Sequence, residues 1–235
     1  GADLPLMPKL GDLVQRILKL VPDLPRLRIS SIDSIEADPA LIDAISSEMR
    51  LMPHLHLSIQ HGNDLILKRM KRRHLARDVV RFVEQARKNR PGIVLGADFI
   101  SGFPTENCEA HLSSLKLIND LEICWGHIFP YSPRNGSPAA KMPQIESKLR
   151  KNRAKELRIA CNKNSKSWMK SQVGSIANVL MESGNSGRCE YFSTVKTNSI
   201  FQRGTIQKLK INKMNHDSLQ GVSIENHQKE IYELV

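Results

Sequence analysis

Histidine and aspartate residues on short apolar runs are the first candidates for chemistry in this 235-residue sequence. His54 and His56 alternate with aliphatic residues in the run HLHLSIQ, so both imidazoles are expected on one face of a strand. Asp98 interrupts a second run, IVLGADFI, where a buried carboxylate is costly unless it is paired. With His127 on a later run, these side chains are typical ligands of a zinc-dependent hydrolase. The plainer alternative is that Asp98 caps a loop or bonds a neighbouring strand.

A turn rich in glycine and proline follows Asp98 and is the second candidate element. The segment 96–106 reads GADFISGFPTE and joins an apolar strand to a helical pattern. In parallel α/β folds, ligands bind at the turns that follow the carboxyl ends of strands. Gly102 has no Cβ, so we expect a ligand to approach the backbone there.

Strands and helices alternate along residues 1–143 in the way that repeated βα units do. The expected strands are 27–33, 54–60, 93–100 and 123–131. Four strands are too few to close a barrel, so the pattern predicts an α/β fold with a partial (β/α) TIM-like barrel. Residues 144–170 are expected to form a basic helix or linker.

After Gly174 the pattern changes to short β-type runs separated by Gly, Asn and Ser. Residues 171–235 are therefore predicted to form a small antiparallel β-barrel, on the scale of OB-like oligonucleotide-binding folds.

Positive charge is concentrated in two stretches of the chain. The formal net charge is +11, which favours a polyanionic partner. Residues 63–90 have a net charge of +7 and residues 141–170 one of +8, whereas residues 171–235 carry only +1. We expect a nucleic-acid footprint mainly on the first two stretches, the alternative being two solvated helix faces.

The four cysteines are widely scattered and form no CxxC pair, so neither a cysteine metal site nor a disulfide framework is predicted. No signal peptide and no run of 18 apolar residues is found, so the expected location is cytoplasmic, with no membrane partner.

Five motifs occur here in an order that resembles the tRNA methylthiotransferases, a family of radical S-adenosylmethionine enzymes. They are LRISSIDSIE, LMPHLHLSIQHGND, ILKRMKRRH, GADFISGFPTE and HIFPYSPRNGSPAAKMP. The resemblance is to the branch that acts on threonylcarbamoyladenosine next to the anticodon. The segment RCEYFSTV resembles part of the TRAM domain, an RNA-binding barrel. The resemblance implies a cytoplasmic transferase that uses S-adenosylmethionine and [4Fe–4S] clusters and has the tRNA anticodon arm as its partner.

The resemblance also implies roles for particular residues, although it assigns no catalytic residue. By this resemblance, Gln60 and Ser30 end strands near the cofactor ribose or amino acid part. The Ile100–Gly102 turn lies near the adenine, and the backbone at Phe129 lies along the edge of the adenine. The expected cofactor-binding residues are Ser30, Gln60, Asp98, Ile100, Gly102 and Phe129. The expected RNA-binding residues are Arg134, Lys148, Arg150, Lys151 and Arg153. The alternatives are that Ser30 bonds backbone, Gln60 caps a turn and Phe129 belongs to the core.

One departure from the family is large. The CxxxCxxC motif that binds the cluster is absent, as are the first two barrel strands and the N-terminal domain of the family. The chain is therefore expected to be inactive alone and to need a separate N-terminal fragment that completes the barrel. A fragment, half of a split gene and a remnant all stay open as its origin, as does a non-catalytic RNA-binding role. Strand 27–33 is expected at an exposed sheet edge, where the isolated chain would associate.

Overall fold

A parallel four-stranded sheet forms the centre of the first part of the chain. A computed structural model describes residues 8–224; the ends of the domains predicted at 1–143 and 171–235 lie outside those residues. The strands stand in the order β1-β2-β3-β4, and all neighbours are parallel. They are β1 (Ser31–Ile32), β2 (His54–Gln60), β3 (Val94–Ser101) and β4 (Trp125–Pro130).

Strand β1 is much shorter than the predicted 27–33. It contains two residues, and Leu27 forms only an isolated bridge to Leu51. The prediction that this strand lies at the sheet edge is confirmed for residues 8–224, in which β1 pairs with β2 alone. The association expected from such an edge stays a prediction.

Six helices are described, and three of them begin at a residue whose side chain caps the helix. Asp38 accepts a hydrogen bond from Leu41 N at the start of α2, Asn63 caps α3 and Asn107 caps α5, each satisfying an otherwise unpaired N–H. The helices are α1 (Leu10–Leu20), α2 (Pro39–Ser47), α3 (Asp64–Arg69), α4 (Ala76–Asn89), α5 (Cys108–Asp120) and α6 (Ser147–Ser171).

The aliphatic faces of the strands pack against these helices in one core. Leu55, Leu57 and Ile59 of β2 are each 1% exposed, as their alternation predicted. The polar face of β2 is also largely covered, since His54 and His56 are buried.

The chain divides into two compact units, Gly1–Asn164 and Ser165–Val235. The boundary falls inside α6, which differs from the expected separate segment 144–170. Helix α6 covers most of that segment, and its residues Ala154, Leu157 and Cys161 are part of the first unit's hydrophobic core.

The second unit contains a closed five-stranded barrel. Its strands are β5 (Ile176–Ser183), β6 (Ser186–Arg188), β7 (Thr194–Lys196), β8 (Ile206–Met214) and β9 (Leu219–Ser223). The barrel is not wholly antiparallel, because β7 pairs with β9 in parallel. Its interior is filled by buried side chains such as Val179, Val195 and Leu209.

In the described part of the chain, no helix has the length and apolar character needed to cross a membrane.

Candidate functional site

Three polar side chains from neighbouring strands converge on one face of the sheet. His56 Nε2 lies 2.9 Å and His127 Nδ1 3.2 Å from the same atom, Asp98 Oδ1. The hydroxyl of Ser31 lies 3.4 Å from the other carboxylate oxygen, Oδ2. Asp98 is thus paired on both oxygens, which offsets the cost of its partial burial. His56, Asp98 and His127 together form the HDH cluster.

Strand register and one glycine explain how these side chains meet. Asp98 is paired with His127 across β3 and β4, while His56 lies beside Gly96, one row lower on the same face. A Cβ on Gly96 would fall 2.5 Å from His56 Nδ1. The missing side chain therefore makes room for the His56 ring to reach up to Asp98.

Of the residues suggested for a zinc site, His54 is the one outside this cluster. The HDH ligand atoms all lie within 4.8 Å of one another, and His54 does not belong to the group. Its ring centroid lies 6.4 Å from that of His56. The structure therefore replaces the expected His54–His56 pair with His56 and His127.

A second cluster of buried groups surrounds Glu106 in the turn after β3. Glu106 accepts hydrogen bonds from Gly102 N at 2.8 Å and from Arg153 Nη1 at 2.9 Å. His61 Nε2 lies 3.0 Å from the same carboxylate. Because Asn63 N donates to His61 Nδ1, we infer that the proton of this ring is on Nε2 and points to Glu106.

These contacts keep the Glu106 carboxyl ionised. Burial alone would raise its pKa, but the His61 hydrogen bond, the Gly102 N–H and the Arg153 guanidinium outweigh burial and hold the pKa below its ordinary value. Glu106 therefore connects the turn to β2 and to α6 through buried, charge-assisted bonds.

The predicted cofactor residues lie at or near the carboxyl edge of the sheet, with one exception. Gln60 ends β2 with a positive φ of 68° and is buried. Ile100 is half-buried and pairs in register with Phe129, whose side chain is exposed. Ser30 was expected to end its strand, but it precedes β1 and is exposed, and it is the next residue, Ser31, that reaches Asp98.

Gly102 has the positive φ of 71° that suits a turn glycine, but the space beside it is not open. A Cβ there would fall 2.3 Å from Arg150 Cγ and 3.0 Å from its Cα. The Cβ position is therefore filled by Arg150, and the expected approach of a ligand to the Gly102 backbone stays a prediction. Gly102 is needed because α6 packs directly against the turn.

Some of the predicted RNA-binding residues are exposed, and the others are bonded to protein groups. Arg134, Lys148 and Lys151 are exposed. Arg150 is half-buried and donates to Tyr131 O at 2.8 Å. Arg153 is 5% exposed and is paired with Glu106, so its guanidinium is not available to a phosphate and it is removed from the expected footprint.

Sequence reasoning missed Glu106 and His61 as site residues. Both belong to quoted motifs, but they lie 45 residues apart in the chain, and Arg153, the other partner of Glu106, is 47 residues further along than Glu106. No local spacing signals such a contact. The only sequence signal was the unusual run of polar residues at the carboxyl ends of two apolar strands.

The cysteines do not form an iron–sulfur site. Cys124, Cys161 and Cys189 are buried, Cys108 is exposed, and the single group of potential metal ligands in residues 8–224 contains no cysteine. Burial raises the pKa of Cys124 and of Cys161 to about 12, so both remain thiols. A [4Fe–4S] cluster needs several convergent thiolates, which these residues do not supply.

Comparisons with known proteins connect this geometry to a family. The family described as "Radical SAM superfamily" matches residues 1–118. The threonylcarbamoyladenosine tRNA methylthiotransferase MtaB of Rickettsia prowazekii is 43% identical over 90% of this chain and 50% of its own length. A tRNA-2-methylthio-N(6)-dimethylallyladenosine synthase of Ehrlichia canis is 34% identical over 74% of this chain and 40% of its own length. The chain thus spans half or less of the length of these relatives.

A solved structure supports the fold. Coproporphyrinogen III oxidase (HemN) from Escherichia coli, described as a radical SAM enzyme, aligns with a TM-score of 0.54. The alignment covers 91% of this chain and 56% of that protein, at 13% identity. At this identity the likeness concerns the fold alone.

Proposed function

Because the chain belongs to the radical SAM superfamily, we propose that it is the S-adenosylmethionine-binding and tRNA-binding portion of a tRNA methylthiotransferase. The observation that carries this proposal is the 43% identity to the Rickettsia enzyme over 90% of this chain. The name of that relative specifies threonylcarbamoyladenosine, and we extend this substrate to the present chain. The modified base then lies next to the anticodon, as the sequence motifs imply.

The residues at the sheet edge suit S-adenosylmethionine in their chemistry. Ile100 and the exposed Phe129 offer apolar surface for the adenine, and the backbone of Gly102 borders the same edge. Gln60 and the Asp98 Oδ2 atom, beside Ser31, offer polar groups for the ribose or the amino acid part. When bound, S-adenosylmethionine supplies the radical and the methyl group of the reaction. The task of these side chains is to bind and orient it.

The iron–sulfur cluster does not fit this chain, because its four cysteines do not converge on one site. We propose that the cysteine ligands come from a further segment, which joins the open edge of the sheet at β1. The exposed backbone of an edge strand is suited to such pairing.

The proposed tRNA contacts are the exposed basic residues that follow β4. Arg134 lies in the loop after the strand, and Lys148 and Lys151 are exposed on α6. Lys and Arg contacts to phosphate give affinity without reading base identity. The barrel of the second unit is proposed to act as the TRAM-like part that holds the anticodon arm.

Expression in a bacterial strain that lacks its own threonylcarbamoyladenosine methylthiotransferase tests the proposal. Three strains are compared: one expresses the chain alone, one expresses the chain together with the N-terminal segment of the Rickettsia relative, and one expresses neither. The tRNA nucleosides of each strain are measured by mass spectrometry. The expected result is the 2-methylthio nucleoside only when both parts are present. Its absence, with both parts soluble and abundant, would contradict the proposal.

A second candidate is a non-catalytic tRNA-binding protein. It is favoured by one observation, that the described residues contain exposed basic side chains on α6 but no cysteine cluster. In the same experiment this candidate predicts tRNA that co-purifies with the chain and stays unmodified even when the second segment is present.

A further inference from the structure

We propose that His56, Asp98 and His127 bind one divalent transition-metal ion, with Zn²⁺ as the ion that suits the site best. Two imidazole nitrogens and one carboxylate oxygen lie within 4.8 Å of one another. The site contains no cysteine and does not depend on the proposed tRNA chemistry. It shares Asp98 with the proposed cofactor-binding edge, where Oδ2 was assigned to the cofactor, whereas the two imidazoles lie at Oδ1. It also differs from the zinc site suggested by the sequence, because His54 is not a ligand.

The distances between the ligand atoms are close to those of a tetrahedral site. Zinc bonds to nitrogen and oxygen are about 2.0–2.1 Å long, so tetrahedral ligand atoms lie roughly 3.3–3.4 Å apart. Asp98 Oδ1 is 2.9 Å from His56 Nε2 and 3.2 Å from His127 Nδ1. A small outward movement of the two rings is enough to admit the ion between them.

The site is supported on both sides by the sheet. His56 and Asp98 come from the interiors of β2 and β3, and their side chains are only 10% and 20% exposed. Gly96 leaves the space that the His56 ring occupies. The Ser31 hydroxyl beside Asp98 Oδ2 fixes the carboxylate from outside, as partners of ligating carboxylates commonly do.

The third ligand gives the site an open side. The His127 side chain is 61% exposed, so an ion held here keeps at least one position that faces solvent. Three protein ligands and one open position are typical of zinc sites that bind an exchangeable ligand. The ligand class that fits is a small oxygen or nitrogen donor, such as water or a carboxylate.

The chemistry of the ligands selects the kind of ion. Mg²⁺ and Ca²⁺ prefer oxygen ligands alone, whereas imidazole suits zinc, copper, iron and nickel. The alternative is that both imidazoles donate hydrogen bonds to Asp98 and no ion binds. The two cases differ in whether added Zn²⁺ replaces the two ring protons.

Calorimetric titration of the full chain with ZnCl₂, after removal of metals with a chelator, separates these cases. The test variants are Asp98→Asn, which keeps the side-chain shape, and His127→Gln, which changes an exposed side chain and should not affect folding. His54→Gln, two residues before His56 on the same strand, is the matched control, and His216→Gln replaces an exposed imidazole of the second unit. Co²⁺ serves as a second probe, because its visible absorption reports the ligand set, and circular dichroism checks the fold of each variant.

The expected result is one Zn²⁺ per chain. Loss of a ligand in Asp98→Asn or His127→Gln should weaken binding by at least about tenfold and remove the Co²⁺ absorption. His54→Gln and His216→Gln should bind as the unchanged chain does. The proposal is overturned if the chain binds well below one equivalent, if His127→Gln binds as tightly as the unchanged chain, or if a folded His54→Gln loses as much affinity as the ligand variants.

Discussion

Asp98 and Glu106 lie on the same strand and turn, but their surroundings give them different roles. Asp98 is partly exposed and shares one oxygen between two imidazoles, which leaves it accessible to a ligand. The Glu106 side chain is 1% exposed and is bonded to His61, Arg153 and the Gly102 N–H. Asp98 is therefore a candidate for binding, and Glu106 is a positioning residue for the turn.

Replacing Glu106 by Gln should destabilise the first unit by about 3–5 kcal/mol near neutral pH, because Arg153 is left buried without its charged partner. It should also reduce the pH dependence of stability. The folded-state pKa of Glu106 lies below the ordinary value of 4.5, so its contribution is present above that value and is lost as the pH falls through the folded-state pKa. Urea unfolding from about pH 7 to about pH 3 measures both effects.

Glu156→Gln provides a matched control for this prediction. Glu156 also pairs with a histidine, His111, but its side chain is 54% exposed. The control should therefore cost much less stability. If Glu106→Gln and Glu156→Gln lower the free energy of unfolding equally, burial of the network around Glu106 adds no stability beyond that of an exposed pair.

At the scale of single residues, the sequence predicted that a polar cluster forms on β2, but it did not predict which histidines contact Asp98. The alternation of β2 predicted that His56 shares a face with other polar residues, and the structure confirms a polar cluster there. Which of His54 and His56 reaches Asp98 depends on the register between β2 and β3, which puts His56 beside Gly96, where a Cβ would fall 2.5 Å from His56 Nδ1. Such a steric effect between strands is not contained in the pattern of either strand alone.

At the scale of elements, the turn after β3 is connected to α6 by close packing. Gly102→Ala combines two costs, a positive φ of 71° and a Cβ that would fall 3.0 Å from the Arg150 backbone. Gly92→Ala carries only the first cost, since its φ is 84° and no atom lies within 4 Å of the added Cβ.

We therefore expect Gly92→Ala to cost about 1–2 kcal/mol, and Gly102→Ala to cost a further 1–3 kcal/mol, roughly, from overpacking. The free energy of unfolding in urea measures the difference. A Gly102→Ala variant as stable as Gly92→Ala would mean that α6 yields easily and does not fix the turn.

Helix α6 also carries the proposed phosphate contacts on its exposed side. Lys148→Ala and Lys151→Ala should each weaken binding of all tRNAs alike and flatten the dependence of log affinity on log salt by roughly one unit. Lys116→Ala on α5 is the control, because its ammonium is exposed and already paired with Asp120 at 2.6 Å. Titration of labelled tRNA across a salt series gives the slopes.

If the salt dependence of tRNA affinity is unchanged in the two α6 variants, this part of the helix is a solvated face that does not contact phosphate. Arg153 is left out of the set because its replacement would disturb the buried Glu106 network rather than a surface charge.

The elements were predicted from sequence with uneven success for physical reasons. Strands β2 and β3 were found almost residue for residue, because strict alternation in β2 and an apolar run in β3 are direct signals of a strand. Strand β1 was overestimated, since its length depends on a partner rather than on its own residues. The long helix α6 was predicted, but packing of Ala154 and Leu157 into the first core was not, because it depends on how α6 folds back.

At the scale of the whole molecule, the chain contains two compact units with different contents. The first holds the parallel sheet, the HDH cluster and the Glu106 network, and the second holds the five-stranded barrel. The order of these parts could be predicted from the change of pattern after Gly174. The boundary could not, because a single uninterrupted helix runs through it.

The central claim is that this chain binds S-adenosylmethionine and tRNA but depends on another segment for the cluster that cleaves the cofactor. It is tested most directly by measuring 5′-deoxyadenosine formation from S-adenosylmethionine under anaerobic conditions, after reconstitution with iron and sulfide. We predict no product from the chain alone and none from the N-terminal segment of the Rickettsia relative alone. We predict product when the two are mixed. Turnover by the chain alone, or none from the mixture of the two folded parts, would contradict the account.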